Sequence, residues 1–442
     1  MLARFFAGRD KHMRTLYSAL MYLLVPLYLL RLLLRSLRSP AYRRRIPERF
    51  GMVALPPGTD LATPAIWVHA ASVGEVQGAA RLVESLLRQY PGHRLIVTTT
   101  TPTGAGRVHG LFGERVLHSY LPWDLPGALS RFLQRVRPEL LLLMETELWP
   151  NLLWACERYG CHRVLVNGRL STRSAARYQR VAPVMREAVS CLEAAACQTA
   201  GDAKRLIVLG SPANVVTVTG SLKFDVPLDD TERATARLLC RQLGLEGKPL
   251  WIAASTHSGE EDVVLDAHAL IRQRHPDCLL LLAPRHPERF DAVAGQCRAR
   301  GWHLARRSQA QLMERADVLL LDSIGELPHV FGAARVAFIG GGLVAQGGHN
   351  PVEAARWAVP VISGPQIENF AHAYGLLKGA GGALVVEEHQ ALAEAVSGLL
   401  GDPQRRDSMG RAAEQVVMTN RGALARTLAI VEKVLRPVEA GP

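Results

Sequence analysis

Two successive α/β domains, each a doubly wound parallel sheet, are the fold that this chain predicts. Three observations carry that reading. A length of 442 residues is enough for two cores. From Pro64 onward, short uninterrupted apolar runs alternate with helical patterns, as in a parallel sheet covered on both faces. After Gly220-Ser221-Leu222-Lys223-Phe224-Asp225 the alternation stops, passes through a charged segment, and starts again. A composition of 48% apolar and 21% charged residues excludes a disordered chain.

Ahead of the first domain, Thr15 to Leu30 carries no charge and RLLL extends the apolar character to Leu34. A helix of that length sits on the border between spanning a bilayer and lying partly embedded in it. No small-residue cleavage site follows, so a signal peptide is disfavoured. Instead Arg31, Arg35, Arg38, Arg43, Arg44, Arg45 and Arg49 follow at once. Such a cluster suits anionic headgroups and places the body of the protein on the cytoplasmic side. The net charge of +12 is therefore read as a membrane-surface feature. Nucleic acid is not expected, because there is no zinc knuckle and no basic–aromatic interleaving. The expected divisions are 1–40 (anchor and basic segment), 41–225 (first domain) and 226–442 (second domain).

Strands are expected at Ile66–Ala70, Arg94–Thr99, Val116–Tyr120, Leu140–Glu145, Arg163–Asn167, Ala194–Gln198 and Val215–Val218. In the second domain they fall at Leu250–Ala254, Cys278–Ala283, Val318–Leu321, Val336–Ile339, Val359–Ser363 and Ala383–Val386. Helices fill the gaps, including an arginine-rich one over Ser171–Ser190, one over Asp229–Leu243, and a helical end from Gln390 to Leu435. The seven cysteines form no CxxC pair and are odd in number, which points to reduced core thiols without disulfides or structural zinc.

The stretch Phe338 to Ala355, FIGGGLVAQGGHNPVEAA, joins a strand to a helix start through Gly340, Gly341 and Gly342 and then Gly347 and Gly348. Glycines permit close approach to a ligand and a helix N-terminus offers N–H groups to an anion, so a phosphate is expected here. Asn350 reads as N-cap, Pro351 as the first helical residue and Glu353 as N3. Glu353 then either caps its own helix or accepts hydrogen bonds from a ribose diol. The spacing is not GxGxxG, which disfavours the usual dinucleotide fingerprint.

Other strand ends bring polar residues abruptly. Ser72 and Glu75 have capping-box spacing with Gly74 between them, and Glu75 lies where ligands bind in such sheets. It reads either as a local cap or as a general base. Thr98 to Gly104, with Thr99, could meet a sugar or cap the next helix. Glu145 and Glu147 close the run of four leucines and a methionine; either one of them orients an acceptor, or Thr146 with Trp149 and Pro150 only starts the next helix. Arg285 and His286 are placed for a phosphate or a base edge. Ser323, Gly325 and Glu326 repeat the capping spacing. Two such domains predict a ligand cleft at the carboxyl ends of their strands.

Together these segments resemble the successive signature blocks of the 3-deoxy-D-manno-octulosonic acid (Kdo) transferases: His69-Ala70-Ala71-Ser72-Val73-Gly74-Glu75, Glu145-Thr146-Glu147-Leu148-Trp149-Pro150-Asn151, Gly220 to Asp225, Ala283 to Arg289, and Gly348-His349-Asn350-Pro351-Val352-Glu353. The resemblance implies a GT-B glycosyltransferase with an acceptor domain, a donor domain and a membrane-proximal N-terminal helix. It implies transfer of Kdo from CMP-Kdo to lipid IVA, the lipid A precursor, at the cytoplasmic face of a bacterial inner membrane with anionic lipids as surroundings. Glu75 takes the catalytic-base position. Arg285, His286, Gly325, Glu326, Asn350 and Glu353 fall in blocks used for the CMP moiety, with Gly341, Gly342 and Lys223 as further donor-side candidates. Ser72, Gly74, Thr99, Glu145 and Glu147 are candidates on the acceptor side. Ser221 stands where the block favours Asn, which bears on one donor contact. No DxD or His/Cys cluster occurs near the blocks, so neither metal nor cofactor is expected. Two other functions remain open on the residues alone: another lipid-directed nucleotide-sugar transferase, and a non-catalytic nucleotide-binding membrane regulator.

Overall fold

The computed structural model describes residues 2–226, 228–309 and 316–436. It contains two compact units, one of residues up to Asp225 together with the chain from Gly422 onward, the other Val226–Arg421. The first unit holds β1 (Ala65–His69), β2 (Arg94–Thr99), β3 (Leu117–Tyr120), β4 (Pro138–Met144), β5 (His162–Gly168), β6 (Ala194–Cys197) and β7 (Val216–Val218). They form one sheet in the order β3-β2-β1-β4-β5-β6-β7, and every pairing is parallel.

Parallel strands have both faces covered, which is why they read as continuous apolar runs. All five residues of β1 are buried, and alternate ones enter different cores. Trp67, Leu141 and Leu143 pack with Phe132 and Trp154 on one face, whereas Ile66, Val68, Leu140 and Leu142 pack with Leu82 and Val97 on the other. The second unit repeats the design with β8 (Leu250–Thr256), β9 (Leu279–Pro284), β10 (Leu304–Arg306), β11 (Val318–Leu320), β12 (Val336–Ile339), β13 (Val361–Ser363) and β14 (Ala383–Val385). Its order is β10-β11-β9-β8-β12-β13-β14, again all parallel. In each unit the first strand lies beside two strands reached by opposite windings, so the switch points fall between β1 and β4 and between β8 and β12.

Three expectations need correction. The edge strand β10 was not anticipated, because Leu304-Ala305-Arg306 is too short and too polar to register as an apolar run. The helix expected over Ser171–Ser190 is two helices, Thr172–Gln179 and Ala182–Ser190, separated at Arg180-Val181 just before Pro183. The expected second domain 226–442 also loses its end. Helix Ala423–Leu435 packs on the first unit, where Ala423 and Val431 are fully buried beside Leu82 and Val164. Asp225 receives the Gly422 and Leu424 N–H groups at 2.6 Å each, and Arg426 bonds the Thr219 carbonyl at 2.7 Å. Residues 437–442 lie outside the described residues.

The N-terminal segment forms helices Leu2–Leu23 and Val25–Arg38. His12–Leu37 is long and apolar enough to cross a membrane, with a mean hydropathy of 1.7. One side is tied to the first unit: the Tyr17 hydroxyl donates to Asp124 at 2.8 Å, Ser18 donates to Asn151 at 2.8 Å, and Tyr28 stacks on Trp123. The other side exposes Leu16, Leu20, Leu23, Leu27, Leu30, Leu34 and Leu37, spaced alternately by four and three residues. That is one stripe along a helix. Of the arginines flagged in the sequence, the Arg38 side chain is outside the described ones.

A chain ending at Arg421 should leave the face around Ile66, Leu140 and Val164 uncovered. Amide hydrogen exchange in β4, β5 and β6 is expected to accelerate by at least tenfold while β8 and β9 keep their protection. Unchanged protection in β4 to β6 would show that the terminal helix is dispensable to the first unit.

Candidate functional site

At the first switch point, β1 runs into Ala70-Ala71-Ser72 and helix Val73–Gln89, while β4 runs into Glu145-Thr146-Glu147. Ser72 caps the helix, accepting the Glu75 N–H at 3.4 Å. The Glu75 carboxylate returns the contact: Oε1 accepts the Ser72 hydroxyl at 3.0 Å and Oε2 the Ala71 N–H at 2.8 Å. Capping is thus real, yet it does not use up the carboxylate, which has further lone pairs. Burial pushes the Glu75 carboxyl up to about 7, and the negative charges of Glu147 and Glu145 add to that rise. A carboxyl so placed exchanges its proton near neutral pH, as a general base must.

The neighbours divide into groups held tightly and groups left open. Glu147 accepts the Trp149 indole N–H at 2.8 Å and stands 3.6 Å from Nε2 of the fully buried His69. Burial acts to raise its carboxyl, but His69 and the Trp149 indole outweigh it and hold it below the usual range. Glu145 has a φ of +56°, a left-handed backbone unusual for a side-chain-bearing residue. Its carboxylate lies 3.7 Å from Lys223 Nζ, so Lys223, a donor-side candidate by sequence, sits on the first unit beside an acceptor-side carboxylate. Gly74 is exposed, and a Cβ there would approach only Ser72 Oγ, at 3.9 Å. Thr99 is buried with its hydroxyl on His118 and the Thr101 carbonyl, so its role is internal.

At the second switch point, β8 leads to His257 and β12 to the triple glycine, with Arg285 and His286 following β9. The glycine loop is shaped by a residue that the sequence did not flag. Glu260, fully buried at the start of helix Glu260–Arg274, accepts the N–H groups of His257 at 3.0 Å, Gly341 at 2.8 Å and Leu343 at 3.0 Å. Gly341 needs its glycine twice over: φ is +77°, and a Cβ would stand 2.9 Å from the His349 ring. Gly342 lies against Gly364 so closely that a Cβ on Gly364 would be 2.1 Å from the Gly342 carbonyl carbon.

The helix expected at Asn350 is one turn, Val352–Ala355, with Pro351 rather than Asn350 at the N-cap. Asn350 Oδ1 accepts the Val352 N–H at 3.2 Å, and its amide donates to Glu353 Oε1 at 3.3 Å. Glu353 therefore meets a side chain instead of capping its own backbone. Burial pushes its carboxyl up, against the lowering effects of Asn350, Arg356 and Arg285. The Gly341 N–H is taken by Glu260, and the helix behind the loop is a single turn. Glu326 is committed as well: it occupies the N-cap position of Leu327–Val330, not N3, and Arg307 binds it at 2.7 Å while Ser323 donates to it. The Arg307 fork holds the Glu326 carboxyl below its ordinary range. Gly325, at φ +93°, makes the turn before it.

Basic side chains gather beside the loop. His257 Nε2 lies 2.7 Å from His349 Nε2 with the rings stacked, and His286 meets His257 edge-on at 5.3 Å. Arg285 is exposed and pairs with no carboxylate among the described residues. Burial, then Arg285 and the other imidazoles, push His349 down to about 3, and burial with His286 and Arg285 lowers His257. Three imidazoles and a guanidinium thus crowd one strand-end crevice, an arrangement that an anion relieves. Among the described residues no group of three or more His, Cys, Asp or Glu side chains is disposed to hold a metal.

A family model described as 3-deoxy-D-manno-octulosonic-acid transferase (kdotransferase) matches residues 44–226. The 3-deoxy-D-manno-octulosonic acid transferase of Haemophilus influenzae is 40% identical over 427 residues, covering 96% of this chain and 99% of that protein. The same-named protein of Bordetella pertussis is 39% identical, covering 87% of this chain and 91% of the relative. Among solved structures, a glycosyltransferase from Rickettsia africae superposes with a TM-score of 0.54 at 12% identity, covering 85% of this chain and 99% of that one, a likeness of fold alone.

The His349 titration sets a stability test. A histidine depressed in the folded state stabilises fully above its unfolded value near 6.5 and loses that contribution as pH falls toward about 3. Relative to His349→Gln, the native chain should lose about 1–2 kcal/mol of stability between pH 6.5 and pH 5. Using the variant as reference cancels the opposite titrations of Glu75 and Asp124, whose carboxyls are raised. Denaturant melts at the two pH values measure the difference, and a pH-independent gap rules out a buried neutral His349.

Proposed function

We propose, from the premise that this chain belongs to the Kdo transferase family, that the Kdo it transfers from CMP-Kdo is received by lipid IVA, the lipid A precursor. Kdo transfer makes it a glycosyltransferase of lipopolysaccharide core biosynthesis, on a GT-B fold of two doubly wound units. The observation that carries the catalytic assignment is Glu75: a carboxylate beyond the first strand, fixed by Ser72 and Ala71, whose pKa of about 7 suits a base at neutral pH.

In this reading Glu75 takes the proton of a glucosamine hydroxyl as that oxygen attacks the anomeric carbon of Kdo. The new C–O bond forms on the face opposite CMP, the bond to the CMP phosphate oxygen breaks, and configuration inverts. The electron pair leaves on the phosphate, whose charge is met by Arg285 and the imidazoles of His257, His286 and His349. Asn350 and Glu353 supply the polar edge for the ribose. Glu145 and Glu147 serve the first unit by holding the Glu75 proton affinity high. CMP-Kdo is a substrate, and no cofactor enters this chemistry.

The cytoplasmic face of the inner membrane is the proposed location. Support comes from the exposed leucine stripe of the N-terminal helices and from the arginines that follow, which suit anionic lipid headgroups.

Glu75→Gln should lower kcat by about 10²- to 10⁴-fold while CMP affinity and circular dichroism stay unchanged. Mass analysis of lipid IVA after incubation with CMP-Kdo reads the product, and undiminished transfer by the variant would remove Glu75 from its role. In the native enzyme kcat/KM should rise with pH through about 7, as Glu75 ionises. Glu147→Gln removes a like charge that opposes this ionisation, so the acid limb should move to lower pH. A limb that stays in place would mean that Glu147 does not govern the base.

A further inference from the structure

Within the first unit, a cavity of about 330 Å³ lies between helix Val25–Arg38 and the ends of the central strands. Arg31, Arg35 and Arg49 line it together with Ala71 and Glu147, and it is the Ala71 N–H that holds Glu75. The indole side chains of Trp123 and Trp149 lie along the walls.

The arginines are unusual in their lack of counter-charge. No carboxylate among the described residues makes an ion pair with any of the three. Arg49 is only 4% exposed, yet its guanidinium rests over the Tyr120 ring at 4.5 Å and donates to the Thr100 carbonyl at 3.0 Å, while its Nε has no partner at all. The nearby Glu48 is occupied by Arg45 and the Tyr120 N–H. A buried guanidinium without a carboxylate is costly, and its open donors point to an anion that the site receives from outside. Asp124 also borders the cavity but is satisfied by Tyr17, Asn151 and Leu152, so it offers no compensation. The volume is at the low end of ligand pockets, about 300–1,000 Å³, room for a sugar phosphate but not for a whole acylated lipid.

We propose that this cavity is the headgroup subsite of the acceptor: Arg31, Arg35 and Arg49 bind a phosphomonoester on its glucosamine unit, and the hydroxyl to be deprotonated lies by Ala71 and Glu147, beside Glu75. The inference rests on lipid IVA being the acceptor. It gives the N-terminal helix a second role. Two of the three phosphate ligands, Arg31 and Arg35, come from the helix that carries the exposed leucine stripe, so the segment facing the lipid also builds the site. Acyl chains then remain outside the cavity while planar indoles meet the sugar faces.

The test compares two acceptors with the full chain in detergent micelles at saturating CMP-Kdo: lipid IVA, and the same lipid after phosphatase treatment. Arg31→Gln with Arg35→Gln changes two exposed residues, so folding is safe; Arg49→Lys keeps the charge but loses the planar fork. For lipid IVA each variant should lose about 10- to 100-fold in kcat/KM, chiefly through KM. For the dephosphorylated lipid, native and variant enzymes should be equal. Co-sedimentation with phosphatidylglycerol vesicles should be unchanged for Arg49→Lys, which keeps its charge, and this separates the acceptor's phosphate from bulk lipid headgroups. Equal losses on both acceptors, or losses that follow vesicle binding, overturn the subsite while leaving Kdo transfer intact. A native chain that adds no mass to either lipid overturns the acceptor assignment itself.

Discussion

Glu260 has no exposed surface, and its two carboxylate oxygens accept N–H groups from His257, Gly341 and Leu343. The loops beyond the ends of a parallel sheet have no ladder to hold them, so their backbone donors need other acceptors. Burying a carboxylate is expensive, and several charge-assisted hydrogen bonds are what offset it. The result is a glycine loop fixed from below, with its Gly341 and Leu343 N–H groups turned inward. The position of His349 depends on the same clamp, since its ring rests on Gly341.

The same device recurs in the first unit. Asp124 gathers the Tyr17 hydroxyl and the Asn151 and Leu152 N–H groups, and so ties the N-terminal helix to the start of helix Pro150–Tyr159. Burial raises its carboxyl to about 6 even against those donors. Asp225 fastens the returning C-terminal helix through Gly422 and Leu424, and Glu75 does the same on a smaller scale with Ala71. Glu75 differs from the buried Asp124 in combining a raised proton affinity with partial exposure.

Most of the scaffold was legible because buried parallel strands write themselves as apolar runs. Only Leu304–Arg306, an edge strand of three residues, escaped. The site was legible as places more than as contacts. Ser72 and Glu75 lie three residues apart, so their pairing could be read locally. Glu260 could not be identified in the same way: Gly259-Glu260-Glu261-Asp262 looks like an ordinary acidic first turn, and its partners Gly341 and Leu343 are about eighty residues away. The His257–His349 contact spans 92 positions and has no local signature either. Glu326 and Glu353 share the spacing of Glu75, but their helices are single turns, so the pattern there does not produce a backbone cap. The C-terminal helix was assigned to the wrong unit because an amphipathic pattern does not say which sheet it covers.

The two switch points carry opposite electrostatic tension, and that contrast gives the fold its chemical direction. Glu75, Glu145 and Glu147 meet at one of them, where burial and then the charges of Glu147 and Glu145 raise the Glu75 carboxyl to about 7. Arg285, His257, His286 and His349 meet at the other, where burial and then the surrounding basic groups lower the proton affinities of His257 and His349. An anion beside His257 and His349 would raise their proton affinity. A hydroxyl proton delivered to Glu75 would remove one of three clustered negative charges. Under the proposed chemistry, the charge change at each cluster has the sign that lowers its energy, and such a site favours the transition state over the empty enzyme.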